Sequence, residues 1–220
     1  MYLTGYTRSG IRNNVHDGIL ARMYTPQTFV IPGLDGISKK SVDEHIGLYQ
    51  GYVNNFNAIT SAAVALMDDA EKNAHAISEL WRRRSFEFDG MRLHEYYFQQ
   101  LEGGAIAPNP ASPFWKQIAS EYPMDGEGQP QLVLKHIGNM RGPGWALLYW
   151  DPVGKCFQTG FSGEQHQGHF VSLPIILALD VWEHAYLLDY GTKGKGSYID
   201  AFFKNINWSV VEKRFDEASA

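Results

Sequence analysis

Asp180 and His184 stand four positions apart in Asp180-Val181-Trp182-Glu183-His184, directly after the apolar run 173–179. On a helix such a pair shares one face, and on a strand-to-helix turn the two side chains still converge on one point. A carboxylate and an imidazole so placed form two metal ligands, an orienter and its base, or a surface ion pair. Two further histidines lie in apolar surroundings: His45 among Val42, Ile46 and Tyr49, and His94 among Leu93, Tyr97 and Phe98. One buried histidine alone is ordinarily a satisfied core residue. Two helices of one hairpin that each turn an imidazole inward are harder to dismiss. With Asp180 and His184 they supply three nitrogens and one carboxylate oxygen, a set suited to iron, manganese or zinc and unsuited to magnesium or calcium.

The elements that must position these groups are legible in hydrophobic spacing. From residue 38, Val42, His45, Ile46, Tyr49, Tyr52, Val53, Phe56 and Ile59 follow a three-and-four pattern, which predicts a long amphipathic helix with Ser41 as N-cap and Glu44 as its capping-box partner. A second helix is expected over 78–101, interrupted at Asp89-Gly90, so that the two form an antiparallel hairpin. The breaker-dense stretch from Gly103 to Pro113 marks a boundary. Beyond it the pattern predicts helices at 114–122 and 132–140, strands at 145–150 and 155–159 around Asp151-Pro152-Val153-Gly154, a buried strand at 173–179, and helices at 182–190, 198–206 and 210–215. The expected fold is α+β: an extended N-terminal arm (1–36), a two-helix antiparallel hairpin (37–104), and a C-terminal α/β domain (105–220) with a small, about three-stranded antiparallel sheet. The metal would lie between hairpin and sheet.

Composition narrows the function. Nineteen Lys and Arg against 24 Asp and Glu give a net charge of −5, which argues against a nucleic-acid or anionic-membrane partner and for a small-molecule substrate. With one cysteine, Cys156, neither an intramolecular disulfide nor a multi-thiolate metal site can form. The run 173–179 falls far short of the roughly 20 apolar residues of a membrane-spanning helix. Met1-Tyr2-Leu3-Thr4-Gly5 lacks the pattern of a secretory signal, so a cytoplasmic location is expected.

Asp180-Val181-Trp182-Glu183-His184-Ala185-Tyr186 is similar to the D-x-W-E-H-A-Y signature of iron/manganese superoxide dismutases. The likeness extends to Gly142-Pro143-Gly144-Trp145-Ala146, to Gln50-Gly51-Tyr52-Val53-Asn54-Asn55, to His94 with Tyr97, and to Tyr198 with Asn207-Trp208, covering 37 to the end. The resemblance implies that His45, His94, Asp180 and His184 bind one manganese or iron ion per chain, manganese slightly favoured. Superoxide would be converted to dioxygen and hydrogen peroxide as that ion alternates between oxidation states. It implies that Tyr52 guards the substrate channel and that Trp145 and Trp182 keep the centre dry. A glutamine of this family bonds metal-bound solvent, either from the second helix, where Gly90 stands here, or from the C-terminal half, where Gln165 stands. It also implies a homodimer or homotetramer with Glu183 at the interface.

Three departures accompany the likeness. Leu48-Tyr49 stand where the family has a histidine pair, and Leu187 where it has a second tyrosine, replacing a polar pair that joins subunits. His45 precedes Tyr52 by seven positions, one fewer than in the family, which a first helix without a π-bulge would accommodate. His166 and His169 are read as a polar turn beside Gln165. Lys193 and Lys195 are weighed as a local positive field at the channel mouth. The alternative function is a non-catalytic scaffold or assembly subunit retaining the fold.

Overall fold

The computed structural model describes residues 23–122 and 129–220. Most of the expected arm lies outside these residues. Its remainder has no regular structure and is laced to the hairpin: the Asn57 side chain bonds Tyr24 through both backbone N–H and carbonyl, and Gln27 N–H donates to the Tyr49 hydroxyl.

Helices α1 (Lys39–Leu66) and α2 (Ala74–Gln99) form the hairpin. Ser38, not Ser41, caps α1: it is extended (φ −69°, ψ 149°) and its hydroxyl accepts from Ser41 N–H. Ser41 is therefore inside the first turn and buried, and Glu44 faces Lys40 on the surface instead of closing a capping box. Tyr49 meets Glu95, Phe56 meets Phe88, and Thr60 meets Arg84, a descending register that makes the helices antiparallel. Asp89-Gly90 do not interrupt α2. Gly90 is helical and buried, because burial against α1 outweighs the roughly 1 kcal/mol that glycine costs a helix.

Short helices α3 (Pro113–Glu121) and α4 (Gln129–Gly138) lead to strands β1 (Trp145–Asp151), β2 (Cys156–Ser162) and β3 (Ile175–Asp180). They form one antiparallel sheet in the order β2-β1-β3. The expected helix at 182–190 is instead a 3₁₀ turn at Glu183–Ala185 followed by α5 (Leu187–Tyr190), because Trp182 is extended (ψ 152°) and breaks the path. Helices α6 (Lys195–Lys204) and α7 (Trp208–Ser219) complete the chain. No helix among the described residues is long and apolar enough to cross a membrane.

The central strand β1 is buried from Trp145 through Trp150, covered on both faces. Strand β3 is an edge, and α2 covers it through Gln100. That side chain donates to Ala178 carbonyl and accepts from Ala178 N–H at 3.3 Å, acting as a one-residue extension of the sheet. Replacing it leaves both backbone groups buried without partners. Gln100→Leu is expected to lower unfolding free energy by about 2 kcal/mol in urea titrations; an unchanged midpoint would show that this link carries no stability.

Candidate metal centre

His45 comes from α1, His94 from α2, Asp180 from the last position of β3, and His184 from the 3₁₀ turn. One donor atom of each lies within 4.8 Å of all the others. Nε2 of His45, His94 and His184 stand 3.2, 3.6 and 3.1 Å from Asp180 Oδ2. Donors bonded to one transition-metal ion at about 2.1 Å lie roughly 3 to 4 Å apart, so the spacing is that of a shared ion. His94 and Asp180 are fully buried and His45 is 3% exposed, whereas the His184 side chain is 22% exposed, which opens the cluster on that side.

Each donor is aimed by a local contact. His94 Nδ1–H donates to Gly90 carbonyl at 2.6 Å, one turn back on α2, which leaves Nε2 as the free donor atom. Trp182 N–H donates to Asp180 Oδ1 at 2.8 Å and leaves Oδ2 facing the imidazoles. The extended Trp182 thus does two things: it binds one carboxylate oxygen and returns His184 to the other. The Tyr198 hydroxyl donates to Asp180 carbonyl at 2.9 Å and lies 3.2 Å from the Tyr97 hydroxyl. His45 reaches the cluster along an unbroken α-helix with no π turn, and Tyr52, two turns on, packs its ring 5.0 Å from that of His94.

The charge states suit a cation. Burial pushes His94 down to about 3 and also lowers His45, so both are neutral ligands near pH 7. Burial alone would raise Asp180, but the His184 imidazole, 3.1 Å from Oδ2, holds its carboxyl below the usual range and keeps it ionised. Nε2 of His45 is buried without a hydrogen bond despite its closeness to Asp180. Such an orphan is costly unless a ligand satisfies it, and an N₃O set with one negative charge fits iron or manganese.

Around the donors, Trp145 Nε1–H donates to Gln165 Oε1 at 2.8 Å, and Gln165 Nε2–H donates to the Tyr52 hydroxyl at 3.0 Å. Gln165 is wholly buried. The Trp145 ring meets His94 edge-on at 5.1 Å, and Trp182 stacks on His184 at 6.2 Å. Tyr97 and Phe98 flank His45, each with ring centroids 4.9 Å away.

Residues 113–214 match the C-terminal domain of iron/manganese superoxide dismutases. The chain is 35% identical to an iron superoxide dismutase of Aquifex pyrophilus over 191 residues, 84% of this chain and 87% of that protein. It is 33% identical to an iron superoxide dismutase of Tetrahymena pyriformis, covering 77% and 87% of the two chains. It is 30% identical to manganese superoxide dismutase 2 of Halobacterium salinarum, covering 77% and 81%. The chain belongs to the iron/manganese superoxide dismutase family.

Within this dismutase fold, no spacing rule marks what Gly90 is for. A Cβ there would lie 2.6 Å from two ring atoms of Tyr52, so glycine makes the seat on which Tyr52 rests. Lys195 Nζ lies 2.5 Å from Met140 carbonyl and 3.2 Å from Gly142 carbonyl, bracing the loop before β1. Lys193 and Glu183 are exposed, Leu48 is half-buried and Leu187 is 38% exposed. His169 is no bland polar-turn residue, for it bonds both Tyr149 and Gln165, while His166 keeps a buried, unpartnered Nδ1. Gly90→Ala adds a good helix former yet is expected to destabilise by about 1–3 kcal/mol through overpacking. A crystal structure should show Tyr52 displaced from Gln165; an unmoved Tyr52 would contradict the seat.

Proposed function

We propose that this protein is a metal-dependent superoxide dismutase in which His45, His94, Asp180 and His184 hold one iron or manganese ion, and Tyr52, Gln165, Trp145 and Trp182 surround it. The observation that carries this reading is the convergence of three imidazoles and one carboxylate, with a buried orphan nitrogen, at the junction of hairpin and sheet. A bound ion of either metal supplies a one-electron couple, by which two superoxide anions become dioxygen and, with two protons, hydrogen peroxide. Gln165 in the C-terminal half favours manganese, while the relatives named above include both metals, so reconstitution with each is part of the test.

The protein's own part is orientation, dryness and protons. Because Tyr52 oxygen accepts from Gln165, its own O–H proton is left free for another acceptor. Burial, and next the charge of Asp180, push that phenol well above its ordinary range, so it remains protonated at neutral pH and can donate. Trp145 takes the Gln165 oxygen and so fixes which end of the amide faces Tyr52. The aromatic walls from Trp145, Trp182, Tyr97 and Phe98 exclude bulk water, which strengthens the pull of a buried cation on an anionic substrate.

The same reading divides the chain into arm, hairpin and α/β domain at residues 36 and 104. It includes a homodimer or homotetramer, supported by exposed Leu187 and Leu188 beside Glu183, an apolar patch next to the most exposed ligand, His184. A cytoplasmic setting completes it; the lone Cys156 is compatible with a reducing compartment.

Purified protein is expected to carry about one iron or manganese per chain and to dismute superoxide after reconstitution with the correct metal. His184→Ala should lose both, and retention of both would end the reading. Tyr52→Phe should keep the metal and slow turnover about tenfold or more; an unchanged rate would remove Tyr52 from the proton path.

A further inference from the structure

Gln165 sits in the loop between β2 and β3, yet no atom of it is exposed. A loop residue that must present its amide to Tyr52 needs its backbone held as well as its side chain. Both holds come from β1. Trp145 binds the side-chain oxygen at 2.8 Å. Tyr149, on the same face of that strand, works through His169: the Tyr149 hydroxyl lies 3.0 Å from His169 Nδ1, and His169 Nε2 lies 2.8 Å from Gln165 carbonyl. A carbonyl only accepts, so Nε2 carries the proton, and Nδ1 accepts from the Tyr149 hydroxyl. The imidazole is thereby locked in one tautomer and one orientation. Ser162 closes the same loop, its Oγ lying 2.5 Å from the carbonyls of both Glu164 and Gln167, and Gly168, at φ +99°, makes the reversal that brings His169 back beneath Gln165.

We propose that His169 is a positioning residue for the Gln165–Tyr52 pair: it clamps Gln165 backbone to Tyr149 so that the amide meets the phenol in one geometry. This rests on the dismutase reading for its effect on rate. It involves neither a metal ligand nor a proton transfer through His169, because a backbone carbonyl ends the chain of bonds.

The test compares wild type with His169→Leu, His169→Gln, Gln165→Ala and the double variant Gln165→Ala/His169→Leu. Two readouts are used: dismutase kcat of the iron- or manganese-loaded enzyme, and the side-chain amide NMR signal of Gln165 in zinc-loaded, diamagnetic protein. His169→Leu is expected to keep its metal, lose about tenfold in kcat, and broaden or split the Gln165 amide signal. His169→Gln, whose amide can still donate at the Nε2 position, should recover most of the rate and a single sharp signal. In the Gln165→Ala background, His169→Leu should change kcat by less than about twofold, since a residue acting only through Gln165 has nothing left to position. An equal loss in both backgrounds, or an unaltered Gln165 signal in His169→Leu, would overturn the proposal. If His169→Leu does not fold, Tyr149→Phe cuts the same clamp from its other end; a wild-type Gln165 signal there would overturn it too. A wild type inactive with either metal would instead refute the dismutase reading, and the zinc-loaded signal would still decide the clamp.

Discussion

One buried carboxylate governs this structure. Asp180 is fully buried at the end of β3 with its Oδ2 within 3.6 Å of three imidazole nitrogens. Burying an ionised carboxylate costs several kcal/mol unless charge or hydrogen bonds compensate. Trp182 N–H satisfies one oxygen, and the imidazoles satisfy the other only in part, for His94 has committed its proton to Gly90 and His45 has the wrong geometry to donate. A cation resolves every one of these mismatches at once. The fold can be understood as the apparatus that keeps them unresolved by protein alone: an antiparallel hairpin supplies two ligands, a sheet edge and the turn beyond it supply two more, and Gln100 and Tyr198 tie hairpin to sheet.

Around that centre the residues serve direction more than attraction. The sequence of donors Trp145, Gln165, Tyr52 runs one way, each N–H meeting an oxygen, and ends on a phenol with a proton to give. That order depends on close fits that tolerate no extra carbon, such as Gly90 beneath the Tyr52 ring.

Much of this was legible in the sequence. Helical spacing revealed the hairpin and the inward histidines, because one apolar face must be buried whatever lies against it. The strands around Asp151-Pro152-Val153-Gly154 were marked by turn chemistry, and Asp151 indeed receives the N–H groups of Val153 and Gly154. The failures were of tertiary origin. Ser38 and Ser41 carry the same hydroxyl, and only the backbone path decided which one caps. Asp89-Gly90 has the composition of a breaker, because the purpose of Gly90 belongs to a side chain 38 positions earlier in the chain. The 182–190 segment has helical composition, yet Asp180 binds Trp182 N–H and holds it extended. His169 looked like any polar loop residue, since its partners are a tyrosine and a carbonyl that no spacing rule connects.

On this structure His45, His94, Asp180 and His184 share one redox-active ion. This sharing is tested most directly by anomalous diffraction from crystals of protein purified without added metal, with data collected on both sides of the iron and manganese absorption edges. A single strong anomalous peak per chain is expected, at one of those edges, bonded to Nε2 of the three histidines and Oδ2 of Asp180. A peak that leaves His45 unbonded, or one lying elsewhere on the chain, would contradict it.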